Sequence, residues 1–347
     1  MALSKITNAS VADNAVHGRR NLIINGAMQV AQRGTSHTQS PNSGNYHTVD
    51  RFSYRRSGTW SGVTAVALSQ ESSGGSAGFK NFLRYAPTGS DATTPDNACM
   101  LVDCKLEGQD ISQLEWGTSN AKSITVSFYV RSSVTGIFCL NIKNTAPNRQ
   151  YVKEYTISSA NTWERKELTF EGDTSGTWAN DNGTGLGLMW FVSGDTDNPS
   201  ESGRLVTADQ WNTTTIPNTY TANQSDAMTT SSGQTFDITG VQLEVGSATP
   251  FEHRSFGDEL AACQRFAQIL PPLNCPKMRE YDRYRTSSYQ FATTMRAAPS
   301  FPALTTTDGV SVTIQSISTS GANATCVVAG DGYGAGIDGG GIITAEL

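Results

Sequence analysis

The stretch FDITGVQLEVGSATPFEHRSFGDELAACQRFAQILPP, residues 236–272, carries the clearest structural pattern in the chain. It begins with the alternating apolar and polar residues of a β-strand, and Pro250 then turns the chain. Ser255, followed three positions later by Asp258, is a variant of the helix capping box. The pattern therefore predicts a strand, a turn and a helix over residues 255–270, which ends at the double proline.

The composition favours a β-rich protein with an uncharged polar surface. The chain has 347 residues, of which 37% are hydrophobic and 16% charged, and its formal net charge is −6. Proteins that bind duplex nucleic acid usually carry a basic stripe, which this sequence lacks. No window approaches the ~20 apolar residues of a membrane span, and the N-terminus lacks the apolar core of a signal peptide. We therefore expect neither nucleic-acid binding nor membrane insertion.

Short alternating segments, separated by turn signals, run through the first two thirds of the chain. ITVSFYVR and WERKELTF have the two-residue period of half-buried strands, and GLGLMWFV is a continuous apolar run typical of a central strand. There is no regular alternation of helices and strands, so the pattern indicates an all-β sandwich. The predicted strands cover residues 49–54, 62–68, 81–85, 98–106, 123–131, 137–143, 150–157, 162–170, 185–192 and 236–245.

Changes in pattern divide the chain into four parts. Residues 1–20 are polar without periodicity and are predicted to form an arm or attachment segment. Residues 21–252 are predicted to form the sandwich, and residues 253–272 the connecting helix. Residues 273–347 contain four further strand-like segments and the glycine-rich run AGDGYGAGIDGGG, which together predict a small C-terminal β domain.

The six cysteines have no metal-binding or redox spacing. No pair is separated as C-x-x-C, and several lie in apolar strand text such as ACMLVDC and FCLNI. We therefore expect buried free thiols, in agreement with assembly in a reducing cytoplasm. The cysteines are Cys99, Cys104, Cys139, Cys263, Cys275 and Cys326.

The sequence contains no recognisable catalytic arrangement. Hydrolysis of a glycoside needs two positioned carboxylates, but the acidic residues here stand beside Gly, Ser and Asn in turn-like text. None of the four histidines neighbours a nucleophile elbow. We therefore expect no enzymatic activity. We also expect no metal or cofactor. The alternative is a structural calcium ion at GDTDNPSESG, with Asp195 and Asp197, a segment that is acidic but lacks the ligand order of an EF-hand.

Two loop segments combine aromatic, amide and carboxylate side chains as a sugar-binding surface does. They are GTWANDNGTG and TADQWNTTTIPNTYTANQ. Aromatic rings stack on the apolar faces of sugars, and Asn and Asp side chains bond the hydroxyl groups. Both segments lie in long connections, where binding loops occur. The candidate ligand-binding residues are Trp178, Asn180, Asp181, Asn182, Trp211, Asn212 and Tyr220, whereas Trp163 and Trp190 lie in strand text and are assigned to the core.

Three motifs give the chain a resemblance to a known family. NLIINGAMQVAQRG, QLEVGSATPFEHRSFGDELAACQRF, and TMRAAPS with a terminal AEL resemble segments of the tail-fibre and fibre-like virion proteins of tailed bacteriophages, common in marine and cyanobacterial phages. The resemblance spans residues 21–347. It implies a carbohydrate-binding-module-like jelly roll, then a short helix and a small β domain, in a homotrimer exposed on the virion.

The resemblance also implies a function. Such a protein would be a tail fibre, or a short fibre or tip, assembled in the host cytoplasm. It would contact other virion proteins through the N-terminal segment and bind a host-surface glycan. Two alternatives remain open: a head decoration, head fibre or baseplate connector without a ligand, and a polysaccharide depolymerase.

The implied jelly roll leads to specific predictions for the joint, the stretch of residues 236–272 that connects the sandwich to the C-terminal unit. NLIING would begin the first strand and VQLEVG would form the last, so that the two lie side by side. Glu252 and Arg254 would meet polar groups where the chain leaves the sandwich. The helix carries one apolar stripe, which could pack on its own sandwich or around an axis of three copies. The stripe contains Leu260, Cys263, either Phe266 or Ala267, and Leu270.

Overall fold

The described part of the protein, in a computed structural model, is mostly β-structure. Two six-stranded antiparallel sheets form a sandwich, and three small sheets are built from later residues. The predicted fold class, a jelly-roll sandwich with a short helix and a small C-terminal β unit, is confirmed. The described residues are 19–39, 44–76, 78–146, 148–196, 204–216, 218–270, 273–274, 284–301, 310–328, 336–337 and 341–347.

The chain crosses repeatedly between the two large sheets, as it does in a jelly roll. The ten strands predicted between residues 49 and 245 are all present, with their ends shifted by no more than three residues. Sheet A contains, in spatial order, β1 (Ser36–Gln39), β3 (Ala65–Glu71), β4 (Phe82–Thr88), β12 (Phe236–Val245), β6 (Ile124–Ser132) and β9 (Glu164–Phe170). Sheet B contains β11 (Trp211–Asn212), β8 (Gln150–Ile157), β7 (Gly136–Asn144), β10 (Thr184–Gly194), β5 (Cys99–Glu107) and β2 (Phe52–Ser57). A short helix, α1 (Gly108–Ile111), follows β5 and continues as a 3₁₀ turn over Ser112–Leu114.

Side-chain alternation along the strands builds two apolar layers. In β10 the residues Leu188 and Trp190 point into the sandwich, while Met189 and Phe191 point out into a second cluster on the other face of sheet B. Each large apolar side chain that is fully buried contributes about 1.5–3 kcal/mol. The continuous apolar run in the sequence thus belongs to a strand that is buried on both faces, and Trp190 is a core residue as predicted.

The N-terminal motif meets β12 as predicted, although it does not do so as a strand. Leu22 N donates to Leu243 O at 3.0 Å. The Asn21 side chain donates to Val241 O at 3.1 Å and accepts from Leu243 N at 3.1 Å. The prediction that residues 21–24 begin the first strand is wrong, because the Asn21 amide occupies positions that a backbone ladder would fill.

A bulge in β12 makes room for this contact. The pairing of β12 with β6 shifts between Thr239 and Gln242, and Gly240 lies there with a φ of +61°. Strand β4 pairs only with the start of β12, so the edge beyond the bulge is open to the N-terminal segment. Val241 N donates to Gly26 O at 2.9 Å, and a Cβ atom on Gly26 would lie 2.0 Å from Val241 O. The close approach therefore requires glycine at position 26.

Glu252 and Arg254 fix the exit from the sandwich. The Glu252 carboxylate accepts a hydrogen bond from Asn21 N at 2.9 Å. Arg254 donates to the carbonyl oxygens of Asn21 and Ile23 and pairs with Glu259 at 3.0 Å. The expectation that these two side chains meet polar groups at the exit is confirmed.

The helix after the joint, α2 (Phe256–Gln264), begins where the sequence predicts but ends earlier. The Ser255 hydroxyl accepts from Asp258 N at 3.1 Å, as in a capping box. The prediction that the helix reaches residue 270 is wrong, because β13 (Ala267–Ile269) pairs with β19 (Ile342–Thr344). Of the apolar stripe, Cys263 and Phe266 pack on Ile24 and Val30 of the same chain, Leu260 is half-buried beside them, and Leu270 lies in a separate cluster.

Ion pairs attach the C-terminal unit to the sandwich. Arg265 binds the Glu107 carboxylate through two nitrogens at 2.9 and 3.0 Å, and Glu107 is almost fully buried. Glu346 bridges Arg33, at 2.9 Å, and Arg51.

The remaining described strands of this unit are β15 (Tyr284–Gln290), β17 (Gly321–Val328) and β16 (Val310–Gln315) in one sheet, and β14 (Leu273–Asn274) with β18 (Gly336–Ile337) in another.

Two further sequence predictions can be compared with the described residues. Four cysteines are buried free thiols as predicted, while Cys275 and the Cys326 side chain lie outside the described part. Among the described helices, none combines the length and the apolar character needed to cross a membrane. Most of the predicted N-terminal arm, residues 1–18, also lies outside the described residues. The four buried thiols are Cys99, Cys104, Cys139 and Cys263.

Candidate functional site

The two predicted binding loops bring their tryptophans together at one end of the sandwich. Trp178 and Trp211 have ring centroids 5.7 Å apart, and both contact Trp116, at 4.6 and 5.4 Å. All three contacts are edge-to-face, an arrangement in which the face of one ring is covered by the edge of another. Trp178 and Trp211 remain half-buried, and Trp116 is buried.

Hydrogen bonds hold this tryptophan cluster in place. Trp178 Nε1 donates to the Asp173 carboxylate at 3.1 Å, and Trp211 Nε1 donates to a backbone oxygen at 3.0 Å. Asp173 is fully buried and accepts a bidentate pair from Arg149, at 2.9 and 2.5 Å. The Arg149 guanidinium also lies over the Trp211 ring, 5.5 Å from its centroid. The indole N–H groups are therefore already bonded within the protein.

The polar candidates in the loops have different surroundings. Asn180 and Asp181 are exposed beside Trp178. Asn182 is exposed too, but its side chain donates to Arg296 O at 2.7 Å and so faces the C-terminal unit. The Asn212 side chain donates to two backbone oxygens in its own loop, at 3.0 and 2.9 Å. Asp181 Oδ1 accepts from Gly183 N at 2.9 Å, so Asp181 is exposed but bonded within its loop, like Asn212.

Tyr220 has a different position from the one predicted. It is fully buried, packs on Phe191 with ring centroids 5.0 Å apart, and belongs to the apolar cluster outside sheet B. Its hydroxyl donates to Asp195 O at 2.8 Å. Tyr220 therefore has no free ring face on which a sugar could stack.

Trp163, predicted to be a core residue, is instead half-buried, with its N–H bonded to Gly74 O at 2.9 Å.

Asp195 and the histidines show no metal geometry in the described residues. An Asp195 carboxylate oxygen accepts from Asn97 N at 3.0 Å, and Asp197 lies outside the described part. His37 and His47 stack with centroids 4.0 Å apart, and burial together with the charges of His37 and Arg33 lowers the pKa of His47 to about 4. Over the same residues, no three His, Cys, Asp or Glu side chains are grouped to hold a metal ion.

An open groove that the sequence analysis did not identify lies beside the joint. Its volume is about 420 Å³. Three segments that are distant in sequence form its walls: the N-terminal segment after Gly26, the turn before β4, and the residues between Pro250 and α2. The lining residues are Ala27, Gln29, Gly78, Phe79, Lys80, Asn81, His253 and Phe256.

The groove is built around Phe79. This ring lies 5.3 Å from Tyr129, 4.9 Å from Phe251 and 5.4 Å from His253, measured between centroids. The bulge in β12 makes this packing possible, because a Cβ atom on Gly240 would lie 2.6 Å from Phe79 Cζ. The bulge therefore has two effects: it opens the edge of sheet A to the N-terminal segment, and it leaves space for the Phe79 ring.

The groove combines accessible rings with polar side chains. Phe256 is 55% exposed, and His253 is also exposed. Gln29 and Asn81 contribute half-buried amide side chains, and Lys80 contributes an exposed ammonium group. Aromatic faces with a few polar groups around them are typical of sites that bind organic ligands such as sugars. The lining includes no carboxylate, so the groove lacks the acid and base pair that glycoside hydrolysis requires.

The sequence contained one signal for this groove. FEHRSF places Phe251, His253 and Phe256 within six residues, but taken alone this stretch indicates only the connection between two units. Their partner Phe79 lies far away in a glycine-rich segment whose surroundings show no strand period. Only the pairing of sheet A brings the two segments together.

Comparisons with known proteins show distant structural similarity only. No protein-family model matches the sequence. No curated protein sequence matches it. Several solved structures are similar to part of this chain, and three of them illustrate the likeness. A putative sugar-binding protein from Bacteroides thetaiotaomicron is 11% identical, covers 65% of this chain and 100% of its own, and has a TM-score of 0.34. A family 11 carbohydrate-binding module from Clostridium thermocellum, in complex with a β-1,3-1,4-mixed-linked tetrasaccharide, is 12% identical, covers 62% and 99%, and has a TM-score of 0.29.

The third structure is the enzymatically active domain of tailspike protein 4 from bacteriophage CBA120. It is 9% identical and covers 65% of this chain, with a TM-score of 0.32. The match spans about a fifth of that chain, 21%. At such identities the likeness concerns the fold alone, and the fold described above rests on the strand pairing itself.

Proposed function

We propose that the protein is a non-enzymatic phage virion component that binds a glycan of the host surface in the groove beside the joint. The observation that carries this proposal is the groove itself, whose lining combines exposed Phe256 and His253 with the amides of Gln29 and Asn81. These groups suit the two sides of a sugar, since rings contact its C–H faces and amides bond its hydroxyl groups. The tryptophan cluster with Asn180 and Asp181 is kept as a second candidate surface.

The virion setting and the homotrimer rest on the resemblance of the three sequence motifs to fibre-like phage proteins. In a trimer, three weak sites act at a high effective concentration, so a weak single-site affinity is enough for adhesion. Other virion proteins would contact residues 1–20. A tail fibre or short fibre tip is the proposed location, with a head or baseplate position as the alternative.

A glycan array probed with the intact protein tests the binding proposal. We expect bound glycans, and we expect Phe256→Ala to weaken the strongest of them about tenfold, which corresponds to about 1.4 kcal/mol. Phe256 is 55% exposed, so its removal leaves the core unchanged. Ile317→Ala is the matched control, because Ile317 is also an exposed large apolar residue, at 40%, but lies in the C-terminal unit.

Three results would contradict the proposal. If no host glycan binds, the ligand-free structural alternative is favoured. If glycans bind equally to the wild type and to Phe256→Ala, the groove is not the site, and Trp178→Ala then tests the tryptophan cluster. Incubation with host polysaccharide should leave its size distribution unchanged, whereas shortened chains would show a depolymerase.

A further inference from the structure

We infer that the groove selects saccharides that carry a carboxylate, such as uronic or sialic acids, over their neutral counterparts. This inference rests on the proposed glycan-binding function and adds the class of ligand. It depends on the charges around the groove and not on its aromatic rings.

The charged side chain on the groove wall is a lysine. Lys80 is exposed, and no described residue forms an ion pair with it. An ammonium group has three donors and no acceptor, so it binds a carboxylate better than a hydroxyl group. The Gln29 and Asn81 amides can donate to a carboxylate as well. The lining residues are thus rich in donors and include no acidic side chain that would repel an anion.

The carboxylates close in sequence to His253 and Phe256 are bound elsewhere. Glu252 accepts from Asn21 N at 2.9 Å and from Arg20 N at 3.3 Å. Asp258 accepts from the Ser255 hydroxyl at 2.7 Å. Glu259 is buried and paired with Arg254 at 3.0 Å. Glu252 and Glu259 are thus both paired with Arg254, and none of the three carboxylates belongs to the groove lining, where Lys80 supplies a positive charge.

The test compares acidic saccharides with their neutral methyl esters. Calorimetric titration of the full chain would use tetragalacturonate and sialyllactose, each against its methyl ester. We expect the acidic member of at least one pair to bind about fivefold tighter, a difference in the range of an exposed ion pair. The preference should be lost in Lys80→Gln and should shrink in 0.5 M salt, because exposed charges are screened.

Lys122→Gln is the matched control, since Lys122 is also exposed but lies in the loop before β6. It should keep the preference. Equal binding of acidic and neutral ligands, or a preference that survives Lys80→Gln, overturns this inference while leaving glycan binding intact. This inference is also overturned if the protein binds only neutral glycans on the array and that binding depends on Phe256. If the protein binds no glycan on the array, the proposed function fails and this inference fails with it.

Discussion

Replacing Gly26 with alanine should strongly destabilise the protein. The new Cβ atom would lie 2.0 Å from Val241 O, which belongs to the backbone of β12 and cannot rotate away. A carbon and a carbonyl oxygen in contact are usually about 3.3 Å apart. The N-terminal segment and β12 must therefore separate by more than about 1 Å.

The cost follows from the contacts that this separation breaks. The bonds from Val241 N to Gly26 O, at 2.9 Å, and from Leu22 N to Leu243 O, at 3.0 Å, would both be lost. Two buried backbone hydrogen bonds contribute about 1 kcal/mol each, and the strain of overpacking adds about 1–3 kcal/mol. We expect Gly26→Ala to lower the free energy of unfolding by about 4 kcal/mol.

Urea unfolding at 25 °C, followed by tryptophan fluorescence, measures this value. Gly257→Ala is the control, because its new Cβ atom would meet nothing closer than Ser255 Oγ at 3.9 Å. Alanine is the better helix former, so the control should be neutral or more stable by up to about 1 kcal/mol. A Gly26→Ala protein within about 0.5 kcal/mol of the wild type would refute the close contact between the two motifs.

Four further predictions concern other parts of the molecule. Burial alone would raise the pKa of Glu252, but hydrogen bonds from Asn21 N and Arg20 N and the Arg254 charge lower it below its usual 4.5; its contribution to stability is therefore complete above pH 4.5 and is lost as the pH falls through the lowered value. Thermal unfolding between about pH 6 and 3 should consequently be less pH-dependent in Glu252→Gln, and identical profiles would contradict this. Arg149→Ala should cost about 3 kcal/mol in urea unfolding because it leaves the buried Asp173 charge uncompensated, and a loss below about 1 kcal/mol would show that the pair is unimportant. Tyr220→Phe should cost about 1 kcal/mol in the same assay by removing the hydrogen bond to Asp195 O, and should leave glycan binding unchanged; weaker binding would restore Tyr220 as a site residue. Light scattering at micromolar concentration should give three times the chain mass of 37.1 kDa, and a single 37.1 kDa species would contradict the trimer.

The sequence predicted those parts of the fold that depend on local periodicity. Strand β6 alternates Ile124, Val126 and Phe128 towards the core, and the apolar run of β10 is buried on both faces, so each pattern identified its strand. The capping box at Ser255 likewise located the start of α2. These features are encoded within a few residues, so no long-range contact was needed to predict them.

The wrong predictions concern residues whose structure is decided by distant partners. Residues 21–24 have apolar strand text, but the Asn21 side chain replaces the ladder. The helix is cut short because residues 267–269 pair with a strand near the end of the sequence. Tyr220 stands in polar loop text, yet the loop folds over sheet B and buries it. The groove was missed for the same reason, since Phe79 and His253 meet only through the tertiary fold.

The contact between the N-terminal segment and β12 has a consequence for folding during synthesis. Asn21 and Val241 are separated by 220 positions, so the partner of the N-terminal segment leaves the ribosome long after the segment itself. Until then, the edge of β6 that later pairs with β12 is open, and an unpaired edge invites association with other nascent chains. Contacts between such distant residues form slowly because a long loop must close first. We expect closure of sheet A by β12 to be the late step of folding, and coexpressed chaperones should raise the soluble yield of Gly26→Ala more than that of the wild type.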